Sequence, residues 1–139
     1  MTGLPIEGAG PEQRAAYLET EVTVGGLSAA DALAEMGSFW VVTTWNPFSE
    51  ELSSAVNAGR HAELCERLGN DGLAWLPAVG SSPDGGWAEE SVAIVGIDGR
   101  RARTLGREFG QHAVFEVADG LLRVHACFDD WIDERPLLL

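Results

Sequence analysis

The run Phe39-Trp40-Val41-Val42-Thr43-Thr44-Trp45 constrains this chain more than any other stretch. Successive side chains of a strand point to opposite faces, so a strand with one wet face alternates apolar and polar residues. Here aromatic and β-branched residues follow one another without a charge between them. Such a run predicts a strand buried on both faces. Pro47 closes it, because a proline nitrogen cannot donate to a central ladder. Ser-Val-Ala-Ile-Val-Gly-Ile, residues 91 to 97, is the second such run and the strongest strand pattern in the chain.

The other segments arrange themselves around these two. Residues 1–16 read as an irregular lead-in, with Pro11 able to open a short helix through Ala15 and Ala16. Glu-Thr-Glu-Val-Thr-Val alternates toward a first strand, which Gly25-Gly26 ends. A helix capped by Ser28, with Asp31 in its first turn and Gly37 as its stop, comes next. A longer helix lies within residues 49 to 69, capped by Ser49 or Ser53, its apolar stripe interrupted by Gly59. Leu-Ala-Trp-Leu-Pro-Ala-Val is a strand whose Pro77 argues for a sheet edge or a bulge. Asp98 caps a third helix, and a hairpin turns at Ala118-Asp119-Gly120.

The order β-α-β-α-β-β-α-β-β predicts an α/β (α+β) fold. The expected architecture is a two-layer sandwich, with a mixed sheet of about six strands and three helices mainly on one face. One domain spans residues 17–127, and residues 128–139 form an apolar tail.

Composition excludes several functions. A net charge of −13 opposes binding to nucleic acid or to anionic membranes. All nine basic residues are arginine, so Schiff-base and lysine-nucleophile chemistry are ruled out. No apolar run approaches a membrane span, and no basic segment precedes an apolar stretch at the N-terminus. A cytoplasmic location is the expectation, and the alanine- and glycine-rich composition suggests a bacterial source. Cys65 and Cys127 are too isolated for a zinc or disulfide framework and read as small buried hydrophobes. His61, His112 and His125 fall in three different elements, so neither a metal nor a cofactor is expected. Ser91 lacks the glycine-flanked elbow of a nucleophilic serine.

Chain direction brings the unusual polar residues together. If the strand 39–45 runs upward, Asn46, Pro47 and the first helical turns with Asn57 and Arg60 lie at the top. The following helix descends and the next strand climbs, nearly parallel to the first. Its loop, with Trp87, Glu89 and Glu90 just before Ser91, returns to the top, as do Arg107 and Gln111 at the end of the third helix. Strand ends of this kind are where ligands bind in α/β sheets.

Each residue also has a purely structural reading. Glu89 and Glu90 are adjacent, so alternation sends one into the rim and leaves the other solvated or paired with Arg60 or Arg107. Pro47 favours an extended Asn46, whose amide can satisfy loop backbone. Asn57 and Gln111 can read a planar polar ligand or tie loops together. Trp87 and Trp45 can form a stacking platform or plug the core. Arg100, Arg103 and Arg107 share one helix face, either as an anion or acidic-partner site or as a solvated face.

The segments Thr-Thr-Trp-Asn-Pro-Phe-Ser, Asn-Ala-Gly-Arg-His-Ala-Glu-Leu, Trp-Ala-Glu-Glu-Ser and Phe-Gly-Gln together resemble a bacterial family, domain of unknown function 3293. The likeness runs from about Tyr17 to Val124. Its signature falls on Asn46, Pro47, Asn57, Arg60, Trp87, Glu89, Glu90, Ser91, Gly106, Phe109, Gly110 and Gln111. Val56, Ala88 and His112 depart from it. The resemblance implies the fold unit and the site, and no reaction. A rim that binds a small polar ligand or a peptide-like group is the leading expectation. A hydrolase or transferase using Glu89 or Glu90 as general base is the second, and an acidic adaptor or regulatory protein the third. Phe128, Trp131, Ile132 and Leu137 make the tail too apolar to stay free, so it docks on the domain or on a second subunit.

Overall fold

A computed structural model describes residues 9–47 and 50–137. In chain order it contains α1 (Pro11–Glu19), β1 (Glu21–Val24), β2 (Leu27–Ser28), α2 (Ala29–Met36), β3 (Phe39–Thr43), α3 (Ser54–Asn70), β4 (Trp75–Ser81), β5 (Ala88–Ile94), α4 (Gly99–Glu108), β6 (Ala113–Ala118), β7 (Leu121–Ala126) and β8 (Ile132–Pro136). Three helices start at side-chain caps. Ser28 accepts from the Asp31 N–H at 3.1 Å, Ser53 from Val56 at 3.2 Å and Asp98 from Arg101 at 2.8 Å. Ser49, the other candidate cap, lies outside the described residues. Asp119 and Gly120, both at positive φ, make the tight turn of the β6–β7 hairpin.

The strands form one sheet in the order β2-β1-β4-β5-β3-β6-β7-β8, and every neighbouring pair is antiparallel. The expected mixed sheet of six strands with three helices is therefore corrected to an antiparallel sheet of eight strands with four helices among the described residues. The reason is an insertion. β3 and β4 do run parallel, as the α3 crossover demands, but β5 pairs between them. In the same way β3 lies between β5 and β6, which α4 connects. Two split β-α-β units thus interlock in a ferredoxin-like core. The β1–β2 hairpin extends one edge and β7–β8 the other.

A second correction concerns layers. Right-handed crossovers put α3 and α4 on the same face of the sheet, where Leu64, Leu68, Ala102 and Leu105 pack on Trp40, Val42, Val92 and Ile94. The opposite face carries Phe39, Val41, Phe115 and Val117, covered by Ala29 and Ala32 of α2 and by Tyr17 and Leu18 of α1. Helices cover both faces, and the continuous apolar run of β3 is the sequence counterpart of that burial.

Pro77 sits in an interior strand, not at an edge. A strand residue points its N–H and C=O toward the same neighbour. The Pro77 carbonyl accepts from Gly25 N–H, just past the end of β1. The missing N–H therefore falls where the β1 ladder has already stopped.

The C-terminal segment belongs to the sheet through β8, and Trp131 and Leu137 pack on the core. Arg14 of α1 pairs with Asp133 at 2.7 Å and lies 4.5 Å above the Trp131 ring. Phe128 and Ile132 are exposed. Among the described residues no helix is long and apolar enough to cross a membrane.

Gly106 marks the tightest helix–sheet approach. A Cβ there would lie 2.5 Å from Cys127 Sγ and 2.8 Å from Val114 Cγ1. Gly106→Ala should destabilise the protein by about 1–3 kcal/mol through overpacking, read as a lower Tm in circular-dichroism melts.

Candidate functional site

The register of β5 decides which glutamate faces where. Val92 and Ile94 join the core under α3 and α4, whereas Ala93 joins the core on the opposite face. Alternation then puts Glu90 on the α3 side and Glu89 with Ser91 on the α1 side. Glu90 is exposed and stands 3.9 Å from His61. Glu89 is only 7% exposed.

Glu89 lines a cavity of ≈ 130 Å³ at the end of β3. Thr43 and Phe115 come from the flanking strands, Tyr17 from α1, and Trp87 from the end of the β4–β5 turn. Asn46, Gln111, His112 and Ala113 complete the lining. Burial alone pushes the Glu89 carboxyl up to about 7 from the usual 4.5. No arginine lines this cavity.

Four of the expected site residues, Asn46, Trp87, Glu89 and Gln111, thus share one wall-and-floor arrangement. Five do not line it, and three of these hold the neighbouring loops. Asn57 is buried and paired with Asn46. Its Oδ1 accepts from the Asn46 N–H at 3.0 Å, and its Nδ2 donates to Asn46 Oδ1 at 2.9 Å. Asn46 Oδ1 also accepts from Leu52 N–H at 3.0 Å. These bonds hold Asn46 at φ 46°, in the left-handed region and not in the extended geometry expected before proline. Asparagine tolerates that conformation better than most residues.

Arg60 donates through Nε to the Thr44 carbonyl at 2.8 Å and through Nη2 to the Phe109 carbonyl. It clasps the end of β3 to the C-terminus of α4, where unsatisfied carbonyls favour a cation. Arg107 donates to the Cys127 carbonyl at 3.0 Å, and Arg103 to those of Ala126 and Asp129. Neither Arg60 nor Arg107 pairs with Glu89 or Glu90, and two of the three arginines on the α4 face clasp the β7–β8 turn. Ser91 is buried beneath the cavity, its hydroxyl donating to the Glu89 carbonyl at 3.3 Å.

Gln111 has a split role. Its Nε2 donates to the Trp45 and Phe109 carbonyls at 3.0 and 3.4 Å, which leaves Oε1 uncommitted. Trp45 contributes that carbonyl and does not line the cavity.

Residues 42–114 match a family model described as protein of unknown function (DUF3293), which is more than half of the chain. This chain belongs to that family. The match is narrower than the span from Tyr17 to Val124, yet it includes most of the cavity lining; Phe115 lies one residue beyond it and Tyr17 well before it. No curated protein and no solved structure matches the chain.

Tyr17, Thr43, Ala113 and Phe115 escaped the sequence reading. Period-two alternation from Val114, which packs under α4, would have put Ala113 and Phe115 on the Glu89 face. Nothing in the sequence announces that α1 brings Tyr17 there. Among the described residues no group of three or more His, Cys, Asp or Glu side chains is set to hold a metal. His125 instead meets Glu116 at 3.0 Å and packs against Trp40, with ring centroids 4.7 Å apart and the planes tilted by 56°. Burial raises both thiols, that of Cys127 to about 12, so neither is a ready nucleophile.

The Glu89 shift has a stability consequence. Folding raises its pKa from 4.5 to about 7, so the folded state holds the proton more tightly. That contribution is full below pH 4.5 and is lost as pH rises through 7. Glu89→Gln should therefore unfold at higher urea than wild type at pH 8, by an amount on the order of 2–3 kcal/mol. The advantage should vanish toward pH 4.5; an equal gain at both pH values would contradict a buried, titrating Glu89.

Proposed function

We propose that this DUF3293 member binds a small molecule in the cavity above β3, with Glu89 as the proton-exchanging group of the site. The observation that carries this reading is a buried carboxyl, poised near neutrality, on the floor of an open cavity walled by Tyr17, Trp87 and Phe115. A purely structural glutamate would be expected to find an arginine or a set of N–H donors. The nearby polar residues do so: Asn57, Arg60 and Arg107 are bonded to loop and strand carbonyls or to Asn46. Glu89 stands apart from that scaffold, as perturbed acids at functional sites do.

The test is a thermal-shift screen of a metabolite library at pH 7 on wild type, Glu89→Gln and Trp87→Ala. Compounds should raise the wild-type Tm by several degrees and lose most of that effect in either variant. A screen without a stabilising compound would overturn the reading.

An enzymatic reading has its own support. A carboxyl with pKa near 7 suits general acid–base work, and His112 and Tyr17 share its cavity. If a bound compound is converted, Glu89→Gln should slow turnover by about 10²–10⁴-fold, measured by mass spectrometry of the product. Self-association through the C-terminal segment has weaker support, because Trp131 and Leu137 are packed against the protein's own core. Among the described residues, the exposed large hydrophobic side chains there are Phe128 and Ile132.

A further inference from the structure

The cavity at Glu89 does not stand alone. A second, wider depression of ≈ 330 Å³ lies between α1 and the β4–β5 turn. Tyr17 and Trp87 line both, so the two spaces adjoin. Ala16 and Pro83 give the outer groove apolar walls, and Trp87 is 40% exposed at the junction. A half-exposed tryptophan beside an apolar groove offers a face for a flat or branched hydrocarbon group.

Among the described residues, the titratable side chains lining the two spaces are Glu89 and His112, with Tyr17 and Glu19 from α1; no arginine lines either. The chain contains no lysine and carries a net charge of −13. An anionic ligand would meet no arginine here, whereas an ammonium would meet the Glu89 carboxylate and relieve the cost of burying it. Gln111, whose Oε1 accepts no hydrogen bond among the described residues, is on the same lining, and the aromatic faces of Tyr17 and Trp87 attract a cation.

We infer that the joined cavity and groove bind an amphipathic primary amine, its ammonium at Glu89 and Gln111 and its apolar body along Trp87 and Tyr17. This inference rests on the small-molecule reading above and adds the chemical class of the ligand.

Phenethylamine is a suitable probe, with 2-phenylethanol as the neutral analogue and 3-phenylpropionate as the anion. Titrations followed by ¹⁵N–¹H NMR should show the amine binding at least tenfold more tightly than either analogue. With Glu89 ionising at about 7, its charged fraction grows roughly tenfold between pH 6 and pH 8. Affinity for the amine should rise by about the same factor. Glu89→Gln should abolish the preference for the amine, and most of the pH dependence with it. Trp87→Leu should weaken all three probes together. Equal binding of the alcohol or the acid, or an amine affinity untouched by Glu89→Gln, would overturn the inference. If none of the probes binds while the metabolite screen yields Glu89-dependent compounds, the amine class fails and the pocket stands. If the screen is also empty, both fail.

Discussion

Burial of β3 on both faces is the constraint from which the remaining architecture follows. Phe39 and Val41 point into one core, Trp40 and Val42 into the other. Each fully buried large apolar side chain contributes about 1.5–3 kcal/mol, so neither face can be left to water. The α3 and α4 crossovers cover one side, and α1 with α2 covers the other. With β5 and β6 as its two neighbours, β3 has no free edge either. Its only exit is its end, and the chain leaves there at Thr44 and Trp45.

That exit sets a polar problem which Asn46, Asn57, Arg60 and Gln111 solve. The chain must turn sharply beside three other segments, with main-chain carbonyls that need donors. Asn46 and Asn57 satisfy each other and the loop, Arg60 binds the Thr44 and Phe109 carbonyls, and Gln111 binds that of Trp45 and shares that of Phe109. Such bonds hold the wall of the cavity at a fixed distance from β5. The geometry therefore separates residues that build the site from residues that face what enters it.

Much of this was legible before any coordinates. The strands and the caps follow from periodicity and side-chain chemistry that act within a few residues. Convergence of Asn46, Trp87, Glu89 and Gln111 follows from chain direction alone, since crossover helices return the chain to the same end of the sheet. The separation of Glu89 from Glu90 follows from the period of a strand. What could not be read was partnership. An arginine's sequence neighbours do not say whether it will meet a carboxylate or a carbonyl, and Arg60 and Arg107 both met carbonyls. Nor does a crossover say whether another strand will slip between the two it joins, as β5 does.

The sequence by itself determined most of the local elements, the double-sided burial of β3 and the separation of Glu89 and Glu90 onto opposite faces of β5. These depend on side-chain period and apolar content, which are properties of single segments. Only the tertiary structure decided that the sheet is antiparallel, that α1 covers its second face, and that Tyr17 closes a cavity over Glu89. Those outcomes depend on which distant surfaces bury each other. Glu89 owes its raised pKa to burial, in a cavity that α1, β3 and β6 line together with Trp87.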